Sequence, residues 1–311
     1  MRNRLLVLCL SAVVGIPLLG VAAIAVAASF AWPKLPSLEA LSDYKPRIPL
    51  RIYTADGALI GEFGEERRTF VAIRDVPDNL KYAILSAEDD RFFEHGGVDV
   101  SGLIRATLLN LVGASKQGGS TITMQVARNF YLSREKTISR KLYEILLSLK
   151  IERSLSKEQI LEVYINQIYL GQRSYGFASA AQAYYGKNLE KLSLAETAML
   201  AGLPKAPSKY NPVVNPGRAL ERRNWILGRM LQLGYINQAQ YQKAVAEPIN
   251  LNMIDRSVSN VFPYVGEMVR AELVEHFGEQ AIDSGYKVYT TIDSNRQRYA
   301  EEAVQKGLED Y

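Results

Sequence analysis

Three stretches of the chain carry residue types that chemistry uses. The densest is Glu88-Asp89-Asp90-Arg91-Phe92-Phe93-Glu94-His95-Gly96-Gly97-Val98-Asp99. It follows an apolar helical pattern (Leu80, Ile84, Leu85) and contains two adjacent glycines, so Glu88 is predicted near a helix end, beside a turn. A carboxylate there, partly desolvated by Phe92 and Phe93, would be raised toward the acid–base range. A solvated charged turn with core aromatics is the plainer alternative. The second stretch is Gln117-Gly118-Gly119-Ser120-Thr121-Ile122-Thr123-Met124-Gln125. Glycines leading into a hydroxyl-bearing helix start suit an anion or sugar hydroxyls; a loop with Ser120 as helix cap explains the same residues. The third runs from Arg134 to Lys157 and holds Arg134, Lys136, Arg140, Lys141, Lys150, Arg153 and Lys157 against Glu135, Glu144 and Glu152. Arg140 and Lys141 precede Glu144 by four and three residues, so on a helix all three share a face. Ordinarily such a face is exposed ion pairs. A functional role requires a polyanionic ligand such as a pyrophosphate.

Other chemistries are poorly served. Ser133-Arg-Glu-Lys136 and Ser154-Leu-Ser-Lys157 match a serine acyl-transfer pattern, but no Ser-x-Asn or Lys-Thr-Gly element accompanies them, and both read as helix entries. One cysteine, Cys9, excludes an intrachain disulfide framework. Two histidines, His95 and His276, argue against a His-built metal site. A net charge of +4 over 311 residues gives no footprint for nucleic acid. With 48% apolar and 23% charged residues the chain can bury an ordinary core.

The elements that must position these clusters can be read in order. Leu5 to Ala31 is 27 residues without a charge, more than the roughly 20 that span a bilayer. Arg2 and Arg4 precede it, which places the N-terminus in the cytoplasm and the rest across the membrane, with Trp32 as interfacial anchor. A cleaved signal peptide ending at Ala25-Val26-Ala27 is the competitor, but its apolar region would be about 7–15 residues. Residues 33–50 carry Pro33, Pro36, Pro46 and Pro49 and read as an extended stalk. Arg51–Thr54 and Ala58–Phe63 flank Asp56-Gly57 as a hairpin. From about Asp78 to Ala246 the pattern is helical. Capping boxes at Ser156/Gln159 and Ser193/Glu196 open two of the helices, the first expected over Lys157–Leu170 with Gly171 as its stop. Gly102 to Val112 is apolar nearly all round, either a buried helix or one that dips into the outer leaflet. Tyr286–Ile292 alternates as a strand, and a helix is expected from Ser294 to Leu308.

A membrane anchor, a poised carboxylate and a basic helix bearing a second carboxylate fit a glycosyl reaction on a membrane-held pyrophosphate. The residues themselves resemble the glycosyltransferase module of class A penicillin-binding proteins, the family-51 peptidoglycan glycosyltransferases, most closely the 1A subgroup of Gram-negative bacteria. Five motifs in order over about residues 51–230 carry the resemblance. They are Glu88-Asp89-x-x-Phe92-x-x-His95-x-Gly97; Gly119-Ser120-Thr121-x-Thr123-x-Gln125; Arg140-Lys141-x-x-Glu144; Ile160-Leu161-Glu162-x-Tyr164-x-Asn166-x-x-Tyr169-x-Gly171; and Ser193-Leu194-Ala195-Glu196 running into Ala201-Gly202-Leu203-Pro204. Met124 departs from the glutamine expected at its position. The family's full-length members also carry a C-terminal transpeptidase domain that these residues do not include, so the sequence is expected to be part of a longer chain.

The resemblance implies a mainly α, lysozyme-like glycosyltransferase domain behind one N-terminal transmembrane helix, with a small β-containing linker region. It divides the chain into tip and anchor (1–32), stalk (33–50), glycosyltransferase domain (51–245) and linker (246–311). It implies polymerisation of lipid II at the periplasmic face of the bacterial inner membrane. Glu88 would be the general base, with Asp89 and His95 holding it. Glu144 would be the second catalytic carboxylate, orienting Arg140 and Lys141 or a metal-bound water, or assisting departure of the leaving group; Arg140 and Lys141 would stabilise the leaving pyrophosphate with Arg128 and Lys136. Phe92, Ser120, Thr121 and Gln125 would contact substrate. No cofactor is required; magnesium or manganese assisting at the pyrophosphate is compatible. Glu162 and Glu196 are expected to be structural. Partners would be lipid II, the growing glycan strand, the inner membrane and divisome or elongasome proteins, and no nucleic acid. A lysozyme-like lytic enzyme and an inactive membrane scaffold are the competing functions. The basic pair beside Glu144 argues against the first, since hydrolysis of a neutral glycan has little use for it.

Overall fold

A computed structural model of the chain describes residues 26, 28–42, 48–64, 67–111, 119–132, 137–253 and 262–311. Most of the predicted apolar span, Leu5–Ala31, lies outside them, as does Lys136. Among the described residues no helix is long and apolar enough to cross a membrane.

Along the chain come short helical turns at Trp32–Lys34 and Glu39–Ser42, then strands β1 (Leu50–Tyr53), β2 (Leu59–Phe63) and β3 (Arg67–Arg68). Helices α1 (Asp78–Glu88), α2 (Val100–Leu111), α3 (Ile122–Tyr131), α4 (Ile138–Ser154) and α5 (Lys157–Gln167) come next. After strand β4 (Ser174–Tyr175) come α6 (Phe177–Tyr185), α7 (Leu194–Ala201), α8 (Pro216–Gln232), α9 (Gln238–Ala246) and α10 (Pro263–Phe277). Strand β5 (Lys287–Tyr289) and helix α11 (Ser294–Glu309) end the order. The expected mainly helical class is borne out. The chain divides into two compact units, the first of residues 1–44 and 91–160, the second of residues 45–90 and 161–311.

In the first unit, α3 and α4 pack together. Their starts are set by threonine caps: Thr121 Oγ1 accepts from the Met124 N–H, and Thr137 Oγ1 from the Arg140 N–H. The cap of α3 is thus Thr121, one residue beyond Ser120. On α4 the buried residues Glu144, Leu147, Ser148 and Ile151 follow the i, i+3, i+4, i+7 spacing of one helical face, so Glu144 is a carboxylate at a core position. The proline-rich stretch is not simply extended. Pro33 opens the Trp32–Lys34 turn, and α4 grips this segment at two points. Lys150 Nζ donates to the Pro36 carbonyl at 2.8 Å, and the Arg153 guanidinium lies 5.1 Å from the Trp32 ring centroid.

In the second unit, β1 pairs antiparallel with β2 across the Asp56-Gly57 turn, where Gly57 holds φ +87 as such a turn requires. β5 adds parallel to β1, giving the order β2-β1-β5. Leu50, Ile52 and Ile60 of this sheet bury against Phe262, with Val265, Val269 and Leu273 of α10 beside them. Helices α1, α7 and α8 pack mutually. Helix α5 stops at Gln167, short of Gly171, because the chain turns into a hairpin: Gly176 N–H donates to the Ile168 carbonyl, and Tyr169 bridges Tyr175. Both capping boxes form. Ser156 and Gln159 exchange hydrogen bonds at 2.8 and 3.2 Å, and Ser193 and Glu196 at 2.8 and 3.1 Å.

Candidate active site

The candidate residues fall in both units. In the second, Glu88 is the last residue of α1, and Asp89, buried, forms its C-cap with an N–H bond to the Leu85 carbonyl. The Glu88 carboxylate is nearly buried, and Arg222 of α8 is its charged neighbour, with Nη2 at 3.5 Å from Oε1. Arg222 also donates to the Ala87 carbonyl at 3.2 Å, and its guanidinium stacks 4.4 Å from the Trp225 ring centroid. Burial pushes the Arg222 guanidinium down from its usual value, with the Glu88 charge opposing that shift. This places a cation beside the nearly buried Glu88 carboxylate. Arg222 belongs to none of the five sequence motifs. Its signal was nevertheless present: an arginine on the buried stripe of α8 with Ala219, Ile226 and Met230. A charge at a core position needs a partner.

In the first unit, Glu144 is fully buried between two cations. Arg140 Nη1 donates to Oε2 at 2.9 Å and Lys141 Nζ to Oε1 at 2.8 Å. Lys141 Nζ also donates to Ser120 Oγ at 2.9 Å, so the second and third clusters meet at this lysine. Both oxygens of the carboxylate are engaged, and two cations against one anion leave the group net positive. Arg140 Nε is buried and, among the described residues, has no hydrogen-bond partner. A buried donor left over beside a surplus cation suits an oxygen-rich anion.

The other expected contacts take varied places. Thr121 is buried: its hydroxyl donates to the Gly97 carbonyl at 2.6 Å while capping α3. Phe92 is fully buried, with Lys157 Nζ 4.4 Å from its ring centroid. Gln125 is buried on α3, whereas Arg128 and His95 are half-buried. Met124, the departure from the second motif, is fully buried, so an apolar side chain suits that position. Glu162 accepts from the Ile73 N–H at 2.7 Å, and Glu196 takes Lys187 at 2.6 Å besides its capping box. Each of these carboxylates thus has a partner within the fold.

The model of the family described as Transglycosylase matches residues 56–231, more than half of the chain. The chain belongs to the transglycosylase family. Penicillin-binding protein 1A of Neisseria meningitidis is 52% identical over 312 residues, covering 100% of this chain and 39% of that protein. The protein of the same name from Pseudomonas aeruginosa is 55% identical over 280 residues, 90% of this chain and 34% of that one. A 2.6 Å crystal structure of penicillin-binding protein 1A from Haemophilus influenzae is 38% identical and covers 83% of this chain and 29% of that chain, with a TM-score of 0.49. The transglycosylase chain therefore spans about two-fifths of the length of the curated relatives it matches. The resemblance to the glycosyltransferase region of class A penicillin-binding proteins is borne out.

Proposed function

We propose that this chain is a peptidoglycan glycosyltransferase that joins lipid II units into β-1,4-linked glycan strands on a lysozyme-like core. The acceptor 4-hydroxyl oxygen bonds to the donor anomeric carbon, whose α bond to undecaprenyl pyrophosphate breaks, so the configuration inverts. Glu88 takes the hydroxyl proton, and the bonding pair leaves on the pyrophosphate oxygen. Fixed cations at that oxygen stabilise charge as it develops, often the largest catalytic contribution. Arg140 and Lys141 fill this role, with Glu144 holding them in place and Arg128 and Lys136 assisting. The observation that carries the reading is this buried carboxylate clamped by two cations, one of them shared with Ser120.

Ser120 and Gln125 are proposed to contact sugar or phosphate, and Asp89 and His95 to hold Glu88. Thr121 and Phe92, both buried, are proposed to act by shaping the site. A protein-held divalent metal does not fit the cluster, because such ions take oxygen ligands and both Glu144 oxygens already bind cations.

Localisation follows from the substrate. The apolar run after Arg2 and Arg4 is proposed to anchor the chain in the inner membrane, N-terminus inside and catalytic residues in the periplasm. Phe93, Val100 and Ile104 are exposed, and the last two share a face of α2, which supports contact with the outer leaflet. Elongation or division proteins are proposed partners.

Fluorescent lipid II incubated with the chain in vesicles tests the reading. The parent is expected to make strands, Glu88→Gln none, and Glu144→Gln few. A parent that only shortens preformed strands would make the enzyme lytic, and one that does neither would make it a scaffold.

A further inference from the structure

The lysine of Ser154-Leu-Ser-Lys157 stands outside the proposed reaction, yet it is held among residues of the first motif. Lys157 Nζ donates to Glu152 Oε1 at 2.8 Å and to the His95 carbonyl at 2.6 Å, and lies against the Phe92 ring. Glu152 Oε1 also accepts from Thr123 Oγ1 at 2.5 Å. The side chains of Glu152 and Lys157 are only 10% and 21% exposed. From the other side, the turn presses on α4 at Gly97, which holds φ +90. A Cβ at Gly97 would stand 2.8 Å from Glu152 Cγ and 2.9 Å from the Ser148 carbonyl oxygen. Glu144, Ser148 and Glu152 are spaced i, i+4, i+8, so they lie on one face of α4, with Glu152 about 12 Å along the axis from Glu144.

We propose that Glu152 and Lys157 are positioning residues that fix the turn Phe92–Gly97, and with it His95, in the frame of Glu144. The chemistry requires this pair to be charged. The partly buried backbone carbonyl of His95 takes its hydrogen bond from Lys157, at the start of α5. The ammonium so placed needs a counter-charge, and Glu152 supplies it while also tying in Thr123 of α3. The Phe92–Gly97 turn is thus held by two residues outside the motif, one on α4 and one at the start of α5.

The mechanical part stands on this geometry alone; its consequence for turnover rests on the polymerase reading. Hydrogen-exchange mass spectrometry on the full chain would follow the peptide spanning 91–99, where the Glu94 N–H bonds the Arg91 carbonyl. Lys157→Met is expected to raise exchange in this peptide about tenfold. With lipid II as substrate it is expected to lower kcat by on the order of tenfold to a hundredfold, with KM changed by less than about twofold. Lys157→Arg should restore most of kcat. Glu152→Gln, a milder change that keeps an acceptor for Thr123, should shift both readouts the same way. Unchanged exchange in both variants overturns the brace. Raised exchange with unchanged kcat, in a chain whose parent polymerises, overturns its role in turnover. A parent that does not polymerise lipid II removes the functional reading, while the exchange data still decide the brace.

Discussion

Replacing Glu144 by leucine is the sharpest physical test of the cation clamp. Leucine keeps much of the volume but leaves Arg140 and Lys141, 16% and 36% exposed, without their shared anion. Each pair, at 2.9 and 2.8 Å, has a gross attraction of roughly 6 kcal/mol at an effective dielectric near 20. Desolvation of the fully buried carboxylate offsets much of that. Removing one partner of a buried pair costs about 3–5 kcal/mol. Lys141 can turn toward water, so the lower end applies, about 3 kcal/mol. At about 2–4 °C per kcal/mol for a domain of this size, Tm should fall by about 6–12 °C. Adding Lys141→Met removes an orphaned cation, so the double variant should be more stable than the sum of the singles by about 1 kcal/mol or more. Turning Arg140, Lys141 and Glu144 together into Met, Met and Leu should return stability to within about 1 kcal/mol of the parent, because apolar packing replaces a buried ion cluster at little cost. That chain should be inactive. Thermal unfolding of the full chain in one detergent, followed by circular dichroism, measures the parent and all of these variants. If Glu144→Leu is as stable as the parent, or if the Lys141 effect is simply additive, the electrostatic account of the clamp is wrong.

Two further outcomes concern the charges around the first motif. Asp99 is held below the ordinary carboxylate value of 3.8: its burial works the other way, but the Gly102 N–H, Arg91 and Ser101 outweigh it. A lowered folded value means that this contribution is present above the ordinary carboxylate range and is lost as pH falls through the folded value. The gap in unfolding midpoint between the parent and Asp99→Asn should therefore be constant from pH 7 to 5 and narrow as pH falls below about 4; a gap that does not narrow there contradicts the assignment. Arg222→Met removes the cation beside Glu88 and should lower kcat/KM for lipid II by on the order of tenfold or more at pH 7, with Arg222→Lys recovering part; full activity in Arg222→Met would remove Arg222 as the counter-ion of Glu88.

What was legible in the sequence was local in the chain. Helix starts depend on a hydroxyl and a carboxamide or carboxylate three residues apart, so the boxes at Ser156 and Ser193 could be read directly. The Asp56-Gly57 turn carries its own backbone requirement. Arg140, Lys141 and Glu144 had to share a face once α4 formed, because helical spacing is geometric. What only the tertiary structure decided was which faces meet. Nothing near Glu88 in the chain indicates that its charged neighbour comes from α8, more than a hundred residues on. Nothing near His95 shows that its carbonyl is held by a lysine at the start of α5. The family resemblance casts Phe92 and Thr121 as contacts for substrate, yet packing buries both. The carboxylate of α4 could equally have been a solvated surface charge. It became a buried clamp because the buried stripe of its helix runs through position 144, and burial, unlike spacing, is set by what the rest of the chain lays on top.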